Sequence, residues 1–486
     1  MFGIVGIGAN PIVALAIALI LFAVSRPIIR RISSSEQNPW LAKVLTFSLL
    51  LHLLAVPMQV WVTDHLYGGI ADWNQYLNRG AALARSGFNM NYAHVTGIVG
   101  DGMVSILTGV VFRIIGVNQL GVFLIFSWFA FLGLIFFYRA FSLTFTGANT
   151  RRYAILLFFL PSLIFWTADV SKEAIMSLSL GLCAYGAAKI LARRRGGFVL
   201  LFIGGALGAP VRANELLLLM AGFAVAMLIL PAGPRRNLGG LRRLGSILVL
   251  GALLAGSLFI TLHYLLHQSG SLSLNTLAKG NRGASSPGAV SSAVTYSSNP
   301  ADFPKDVYVV LFDPIILKAH GSGQRLAALE NLIIIGVILS SMRQLRIVIR
   351  AAFARPYVML CAIYSIAFCY AFAALGNLGL ITRERTLLLP FLLVILCIPR
   401  SPKGEPPEFE WELRRKARLE RRRKGESAKR PTTRTPPSPV RVKPRAVYVP
   451  SRRRVPVATV PGRARSESDA EVAEGPTANP RPPPQG

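Results

Sequence analysis

Residues 120–137 read LGVFLIFSWFAFLGLIFF, a run without a single charged side chain. Similar apolar runs occupy residues 10–24 and 245–265. Each comes close to the roughly 20 residues that a helix needs to cross the hydrocarbon core of a bilayer. Because lipid offers no hydrogen-bond partners, a backbone inside it must pair its own N–H and C=O groups, as a helix does. The sequence therefore predicts an all-α, polytopic membrane protein.

Composition supports the same class. Of the 486 residues 52% are hydrophobic and only 15% are charged, whereas soluble domains carry about a quarter charged residues. The four cysteines all sit inside apolar runs, where we expect small buried hydrophobes and not disulfides or metal ligands; they are Cys183, Cys361, Cys369 and Cys397. No Cys/His spacing is typical of a zinc site, and no Gly-rich loop is typical of nucleotide binding.

The positions of Lys and Arg predict the topology, because basic loops stay on the cytoplasmic side of a membrane. About eleven spans result: 10–24, 41–61, 120–137, 153–168, 174–192, 198–212, 216–231, 245–265, 329–342, 357–375 and 386–399. Counting 102–116 as a further span would move the middle basic loops outside, so this segment is predicted to be re-entrant or interfacial. We expect a multi-pass protein of the cell membrane, its N-terminus outside and its C-terminus cytoplasmic.

Two regions follow from this topology. Residues 1–399 form a transmembrane domain, with an outer segment of interfacial helices at 62–118 and an outer loop or lid at 268–328. Residues 400–486 contain 22 Lys/Arg and 10 Asp/Glu, with many Pro and Ser, and are predicted to be a disordered basic tail. Part of it, 408–424, could form a basic helix held by anionic inner-leaflet lipids, or the tail could serve only topology and solubility. Nucleic-acid binding is disfavoured because no aromatic residues interleave with the charges.

Polar residues without an evident structural reason gather on the predicted outer face. The first group lies in TDHLYGGIADWNQYLNRG, which contains Asp64, His65 and Asp72. If this stretch were one helix, the two acids would lie about two turns apart on nearly one face. Such a carboxylate could act as a general base or orient an acceptor hydroxyl. The alternative is a solvated loop acid or a helix cap.

The second group, in FWTADVSKEAIM, consists of Asp169, Lys172 and Glu173. Ser171 is placed to cap a helix whose first turn suits Glu173 but not the cation Lys172. Either the two neighbouring acids neutralise Lys172, or it faces an anionic ligand.

The third group is Arg212 with Glu215, which could simply pair with each other three residues apart. The fourth lies in GNLGLITRERTLLLP and contains Asn377, Arg383, Glu384 and Arg385. Arginines at the outer N-terminal end of a span oppose the helix dipole, but their guanidinium groups bind phosphate bidentately. A lipid phosphate would explain them; snorkelling to the headgroups is the alternative.

These features resemble the GT-C superfamily of membrane glycosyltransferases, which use polyprenyl-phosphate sugars and include protein O-mannosyltransferases and lipid A aminoarabinose transferases. The outer segment with Asp64 and Asp72 and the cationic outer helix ends carry the resemblance. Residues 159–176 and 376–390 are similar to stretches in bacterial membrane proteins of polysaccharide clusters, which implies a bacterial plasma membrane. The resemblance covers roughly residues 40–400, but this chain has no adjacent acidic pair, and its acidic segment follows the second span instead of the first.

The resemblance implies a donor, an acceptor and residue roles. The donor would be a polyprenyl-phosphate sugar, the acceptor a glycan, lipid or protein of the cell envelope, and a divalent cation is left open. Asp72 or Asp64 would be the catalytic carboxylate. The donor phosphate would be held by Lys172, Arg212, Arg383 and Arg385, with His65, Asp169, Glu173, Glu215 and Asn377 in support. Two alternatives stay open: a polysaccharide polymerase or ligase, and a non-catalytic transporter of lipid or polysaccharide.

Overall fold

The computed structural model describes residues 8, 10–66, 68–69, 71–95, 97–145, 149–230, 251, 303–313, 322–372 and 378–399. All belong to the first of two units, Met1–Lys424 and Gly425–Gly486. These residues form α-helices joined by turns, with no strand among them, which confirms the all-α class. Three predicted regions lie outside the described residues: the span 245–265 apart from residue 251, most of the lid 268–328, and the tail 400–486.

Fifteen helices are described. The first nine are α1 (Pro11–Ser35), α2 (Pro39–Leu66), α3 (Trp73–Arg85), α4 (Asp101–Ile115), α5 (Gln119–Thr144), α6 (Arg151–Phe159), α7 (Pro161–Phe165), α8 (Lys172–Leu191) and α9 (Gly197–Leu228). The other six are α10 (Phe303–Phe312), α11 (Ser322–Ser340), α12 (Met342–Leu345), α13 (Val348–Ala354), α14 (Pro356–Phe372) and α15 (Leu378–Leu396).

Five of the described helices are long and apolar enough to cross a membrane: α1, α2, α5, α8 and α9. Two shorter apolar segments, Ala328–Ser340 and Pro356–Phe372, accompany them. The chain is therefore an all-α protein with several potential spans, as expected of a membrane protein. The number of eleven spans and the orientation of the termini stay predictions.

Large apolar side chains on the outside of the bundle fit this class. On α1, Ile12 and Leu19 are more than half exposed, and on α9 the same holds for Val199 and Phe202. Continuous apolar surface of this kind is rare on soluble monomers. A hydrocarbon environment would cover it without cost.

Glycines allow the central helices to touch backbone to backbone. A Cβ added at Gly133 of α5 would lie 2.3 Å from the carbonyl oxygen of Ser177 in α8, and one at Gly181 would lie 2.4 Å from the carbonyl oxygen of Gly133. The α8–α9 contact is built the same way, with Gly186 beside Gly197. Small residues at such crossings give the close packing on which helix association in lipid depends. They hold α8 in the centre of the bundle.

The helix α9 is broken at Arg212. This residue is extended, with φ −149° and ψ 84°, and it follows Pro210 by two residues. Proline cannot donate to the preceding turn and disturbs the helix around it. The sequence predicted two segments, 198–212 and 216–231, with a turn between them, and the structure places the interruption at that point.

The predicted outer segment contains two short helices that pack on each other, α3 and α4. Gly80 of α3 lies against Thr108 of α4. A single helix carrying both Asp64 and Asp72 does not form: α2 ends at Leu66, and a turn follows in which Gly68 and Gly69 have φ of +64° and +73°. Glycine adopts this left-handed conformation readily, and it ends the helix.

Candidate functional site

Arg212 lies at the centre of a buried network of charges. At the break in α9 it donates from Nη1 to Glu215 Oε1 and from Nη2 to Glu173 Oε1, both at 2.9 Å. Its Nη1 also pairs with Glu384 of α15. Because Glu173 and Glu215 are completely buried, Arg212 neutralises carboxylates that no water reaches. It joins three helical segments that are far apart in the sequence.

Arg383 extends this network to the surface. Its Nη2 donates to Glu173 Oε2 at 2.9 Å, and its Nη1 donates to Asp72 Oδ2 at 2.8 Å. Glu173 thus uses one oxygen for each arginine. The side chain of Asp72 is 57% exposed, so the network runs from the buried Glu215 to an accessible carboxylate beside α3. An arginine fixed on its buried side holds that carboxylate in place.

A second ion pair lies at the rim of the network. Lys172 Nζ is 2.6 Å from Asp101 Oδ1, which also accepts a 2.8 Å hydrogen bond from the hydroxyl of Tyr76. Burial would raise the pKa of Asp101, but Lys172 and the two hydrogen bonds hold it below its ordinary value. Burial and the neighbouring Asp101 raise the pKa of Tyr76, so its hydroxyl stays a donor. Of the two alternatives for Lys172, neutralisation by Asp169 and Glu173 is wrong, because its partner is Asp101 of α4.

The sequence before α8 explains how Glu173 reaches the network. Ser171 caps the helix as predicted, its Oγ accepting from the backbone N–H of Ala174 at 3.3 Å. The cap fixes the first turn, which carries Lys172 to the rim and Glu173 to the interior. The positive N-terminal end of the helix also stabilises a carboxylate at this position.

Asp169 and Gln59 form a separate buried pair. Gln59 Nε2 donates to Asp169 Oδ2 at 3.3 Å. The remaining oxygens, Asp169 Oδ1 and Gln59 Oε1, are buried, and neither has a hydrogen-bond partner among the described residues. Burial raises the pKa of Asp169 to about 6, with Glu173 adding to the effect and Arg383 opposing it. A proton on Asp169 would satisfy this pair of acceptors.

We expect Asp169→Asn to stabilise the protein at pH 7.5. Between about pH 4 and pH 6 the folded chain binds more protons at this carboxyl than the unfolded chain, so stability falls as the pH rises through that window. Asn mimics the protonated acid, and its amide can donate to Gln59. The gain should be about 3 kcal/mol at most at pH 7.5 and should vanish near pH 4. Thermal unfolding in detergent across this pH range measures it; a lower melting temperature than wild type at pH 7.5 would contradict it.

Not every predicted site residue joins the network. Asp64 and His65 are exposed at the end of α2, where the His65 ring stacks on Trp61 with centroids 4.9 Å apart. Arg385 is completely buried and donates from Nη1 to the carbonyl oxygen of Leu311 in α10 at 3.0 Å. It therefore faces away from Arg383. Asn377 lies outside the described residues.

Three further residues belong to the site that the structure shows, Gln59, Tyr76 and Asp101, and Glu384 of the fourth predicted group joins them. Glu384 stands between two predicted arginines, and Asp101 is one of the acids of the predicted outer segment. Gln59 and Tyr76 are ordinary residues of apolar or amphipathic helices, and no sequence signal marks them. Packing brings them in: α2 contacts α7, which lies just before Asp169, and α3 contacts α4, which begins with Asp101.

Carboxyl groups outnumber cations among the residues that make these contacts. Six carboxylates surround three cations; they are Asp72, Asp101, Asp169, Glu173, Glu215 and Glu384, with Lys172, Arg212 and Arg383. In the described part of the chain, no group of three or more His, Cys, Asp or Glu is arranged to hold a metal ion. Chemically, the arrangement offers an exposed carboxylate, Asp72, oriented by Arg383, and a partly exposed lysine, Lys172, next to Glu173 in the sequence.

The fold and the site define a class: an all-α protein with potential membrane spans and a buried charged network that reaches the exposed Asp72. Comparison with known proteins does not define this class of protein more closely. No family model, no curated protein and no solved structure matches the chain. The resemblance to GT-C glycosyltransferases therefore depends on the short motifs quoted above.

Proposed function

We propose that the chain is a GT-C-like glycosyltransferase that moves a sugar from a polyprenyl phosphate to a cell-envelope glycan, lipid or protein at the outer membrane face. One observation carries the proposal. Asp72 presents an exposed carboxylate at the start of α3, and Arg383 fixes it at 2.8 Å while being fixed itself by the buried Glu173. A general base has to be accessible and held in one orientation, and Asp72 meets both requirements.

The chemistry is an inverting transfer. Asp72 accepts the proton of the acceptor hydroxyl as its oxygen attacks the anomeric carbon. The bond from that carbon to the donor phosphate oxygen breaks, and the phosphate leaves with the electron pair. Arg383 orients Asp72 throughout the step. The leaving phosphate needs a cation, and Lys172 at the rim, 24% exposed, can exchange Asp101 for it.

The other predicted phosphate ligands take structural roles in this proposal. Arg212 is occupied by three carboxylates and holds α8, α9 and α15 in register. Arg385 is buried against α10. Both lie behind the accessible part of the site.

We expect Asp72→Asn to lower transfer by about 10²–10⁴-fold, the usual contribution of a general base. The assay is transfer of radiolabelled sugar from polyprenyl phosphates in membranes containing the full chain. Asp64→Asn is the matched control, because it removes another exposed acid of the same outer segment that stands outside the network. Its activity should equal that of wild type.

The same assay separates the alternatives. For a polymerase or ligase acting on a lipid diphosphate, Arg383→Ala would abolish product and Asp72→Asn would be tolerated. Asp72→Asn protein should first be shown to elute as a single species from size-exclusion chromatography. If this variant kept full activity, Asp72 could not be the general base.

A specific observation favours transport as the second candidate. A helix interrupted beside buried ionisable groups, as α9 is at Arg212, is typical of substrate and ion pathways through membranes. Transport predicts movement of lipid-linked glycan across vesicles by the purified chain without any covalent transfer. Sugar transfer by the same preparation would support the glycosyltransferase and contradict the transporter.

A further inference from the structure

A basic cavity lies at the opposite end of α8 from the charged network. Its volume is about 830 Å³. Lys172 begins α8 at the network and Lys189 lies at the cavity, so the two sites are roughly 25 Å apart along the helix axis. The cavity is therefore independent of the proposed transfer site.

The cavity lining carries five cations and one carboxylate. The cations are Arg139, Lys189, Arg193, Arg194 and Arg195; the carboxylate is Glu36. Glu36 is shared between Arg139, at 3.6 Å, and the hydroxyl of Ser142. Arg139, Lys189 and Arg195 alone outnumber this single acid, and an anion in the cavity would balance them.

Tyr185 organises the basic side chains around the cavity. Arg139 and Lys189 lie over its ring at 5.7 and 5.4 Å from the centroid, and its hydroxyl accepts a 3.3 Å hydrogen bond from Arg139 Nη2. Arg139 Nη1 also donates to Ser35 Oγ at 2.6 Å. Cation–π contacts and hydrogen bonds of this kind hold long side chains in fixed positions. If these basic residues only kept the loop on the cytoplasmic side, their side chains would not need to be held in fixed positions.

The location of the cavity indicates where its anion comes from. The lining is supplied by the ends of α1, α5 and α8, which are three of the five potential spans, and by the loop before α9. Ends of spans lie at the headgroup level of a bilayer. On α9, exposed Val199, Phe202 and Ile203 follow within two turns of the basic loop. A phosphate in the cavity would thus have an apolar surface next to it for acyl chains.

We propose that this cavity binds the phosphodiester headgroup of an anionic glycerophospholipid, with the acyl chains lying along the start of α9. Guanidinium and ammonium groups are the standard partners of phosphate. Each basic residue in the cavity should add to the free energy of lipid binding, as each one does when a polybasic segment binds to an anionic membrane surface. Because the site joins α1, α5 and α8, the bound lipid would also stabilise their packing.

The test uses the purified full chain and native mass spectrometry with added phosphatidylglycerol or phosphatidylcholine. Wild type should retain phosphatidylglycerol selectively. The double variant Lys189→Ala/Arg195→Ala should weaken its binding roughly 30-fold, as expected for two lost charges. Arg343→Ala/Arg346→Ala is the matched control: it removes the same charge from an exposed basic stretch outside the cavity and should bind as wild type does.

Thermal stability of the wild-type protein gives a second readout that needs no variant. Phosphatidylglycerol should raise its melting temperature, and phosphatidylcholine should not. Equal effects of the two lipids would overturn the proposal, and so would undiminished binding by the cavity variant or a loss of binding in both double variants. If inorganic phosphate or pyrophosphate displaced the lipid and stabilised the protein equally, the occupant would be a soluble anion, and the lipid assignment would fail.

Discussion

Arg212→Met is expected to remove most of the folded protein at neutral pH. Three carboxylates share Arg212, and two of them, Glu173 and Glu215, are completely buried. Removing the cation leaves Glu215 and Glu384 as neighbouring acids without a base, whereas Glu173 keeps Arg383. Breaking a buried ion pair from one side costs about 3–5 kcal/mol, a large part of the 5–15 kcal/mol that stabilises a typical protein.

The measurement is the yield of monodisperse protein from detergent together with its melting temperature. Arg113→Met serves as the control, because this exposed arginine of α4 should contribute less than about 1 kcal/mol. The triple variant Arg212→Met/Glu215→Gln/Glu384→Gln should recover part of the loss, since it replaces the orphaned charges by neutral amides. A melting temperature of Arg212→Met within two or three degrees of wild type would show that the network carries little stability.

The comparison of sequence and structure shows which parts of this network can be predicted. The cap at Ser171 and the pairing of Arg212 with Glu215 are local: each involves residues three positions apart, and both were found. The partner of Lys172 is Asp101, which precedes it by 71 residues. Apolar runs define helices but not their neighbours, so a contact between α4 and α8 could not be inferred from them.

Helical periodicity decides whether Arg383 and Arg385 can bind the same phosphate, a question that the residue types alone leave open. Arg383 and Arg385 stand two residues apart, and two residues of an α-helix turn by roughly 200°. The two guanidinium groups must therefore lie on opposite faces, and the structure directs one to Glu173 and the other to Leu311. A shared grip on one phosphate is incompatible with this geometry. The two-residue spacing alone therefore predicts that the two arginines have different partners.

Gly133→Val is expected to separate the two helices at the centre of the fold. A Cβ at this position would lie 2.3 Å from the carbonyl oxygen of Ser177, and the next nearest atoms, at 2.5 and 2.7 Å, are also backbone of α8. Backbone cannot swing aside as the end of a side chain can, so α5 and α8 have to move apart. Overpacking usually costs about 1–3 kcal/mol, and a clash with backbone should exceed that range.

The effect of Gly133→Val should reach the candidate site, because α8 carries Lys172 and Glu173 at its first turn. A shift of α8 by about 1 Å would lengthen the ion pairs of Glu173 and release Asp72 from its fixed orientation. We therefore expect a lower melting temperature and, in whatever folds, a loss of sugar transfer comparable to that of Asp72→Asn.

Gly336→Val is the matched control for this substitution. Gly336 also lies within a described helix, α11, but a Cβ there meets nothing within 4 Å. The intrinsic change of helix propensity is the same in both variants, so any difference between them measures the contact of α5 with α8. Equal melting temperatures of the two variants would mean that these helices do not touch at Gly133, and the placement of Glu173 would have to be revised with them.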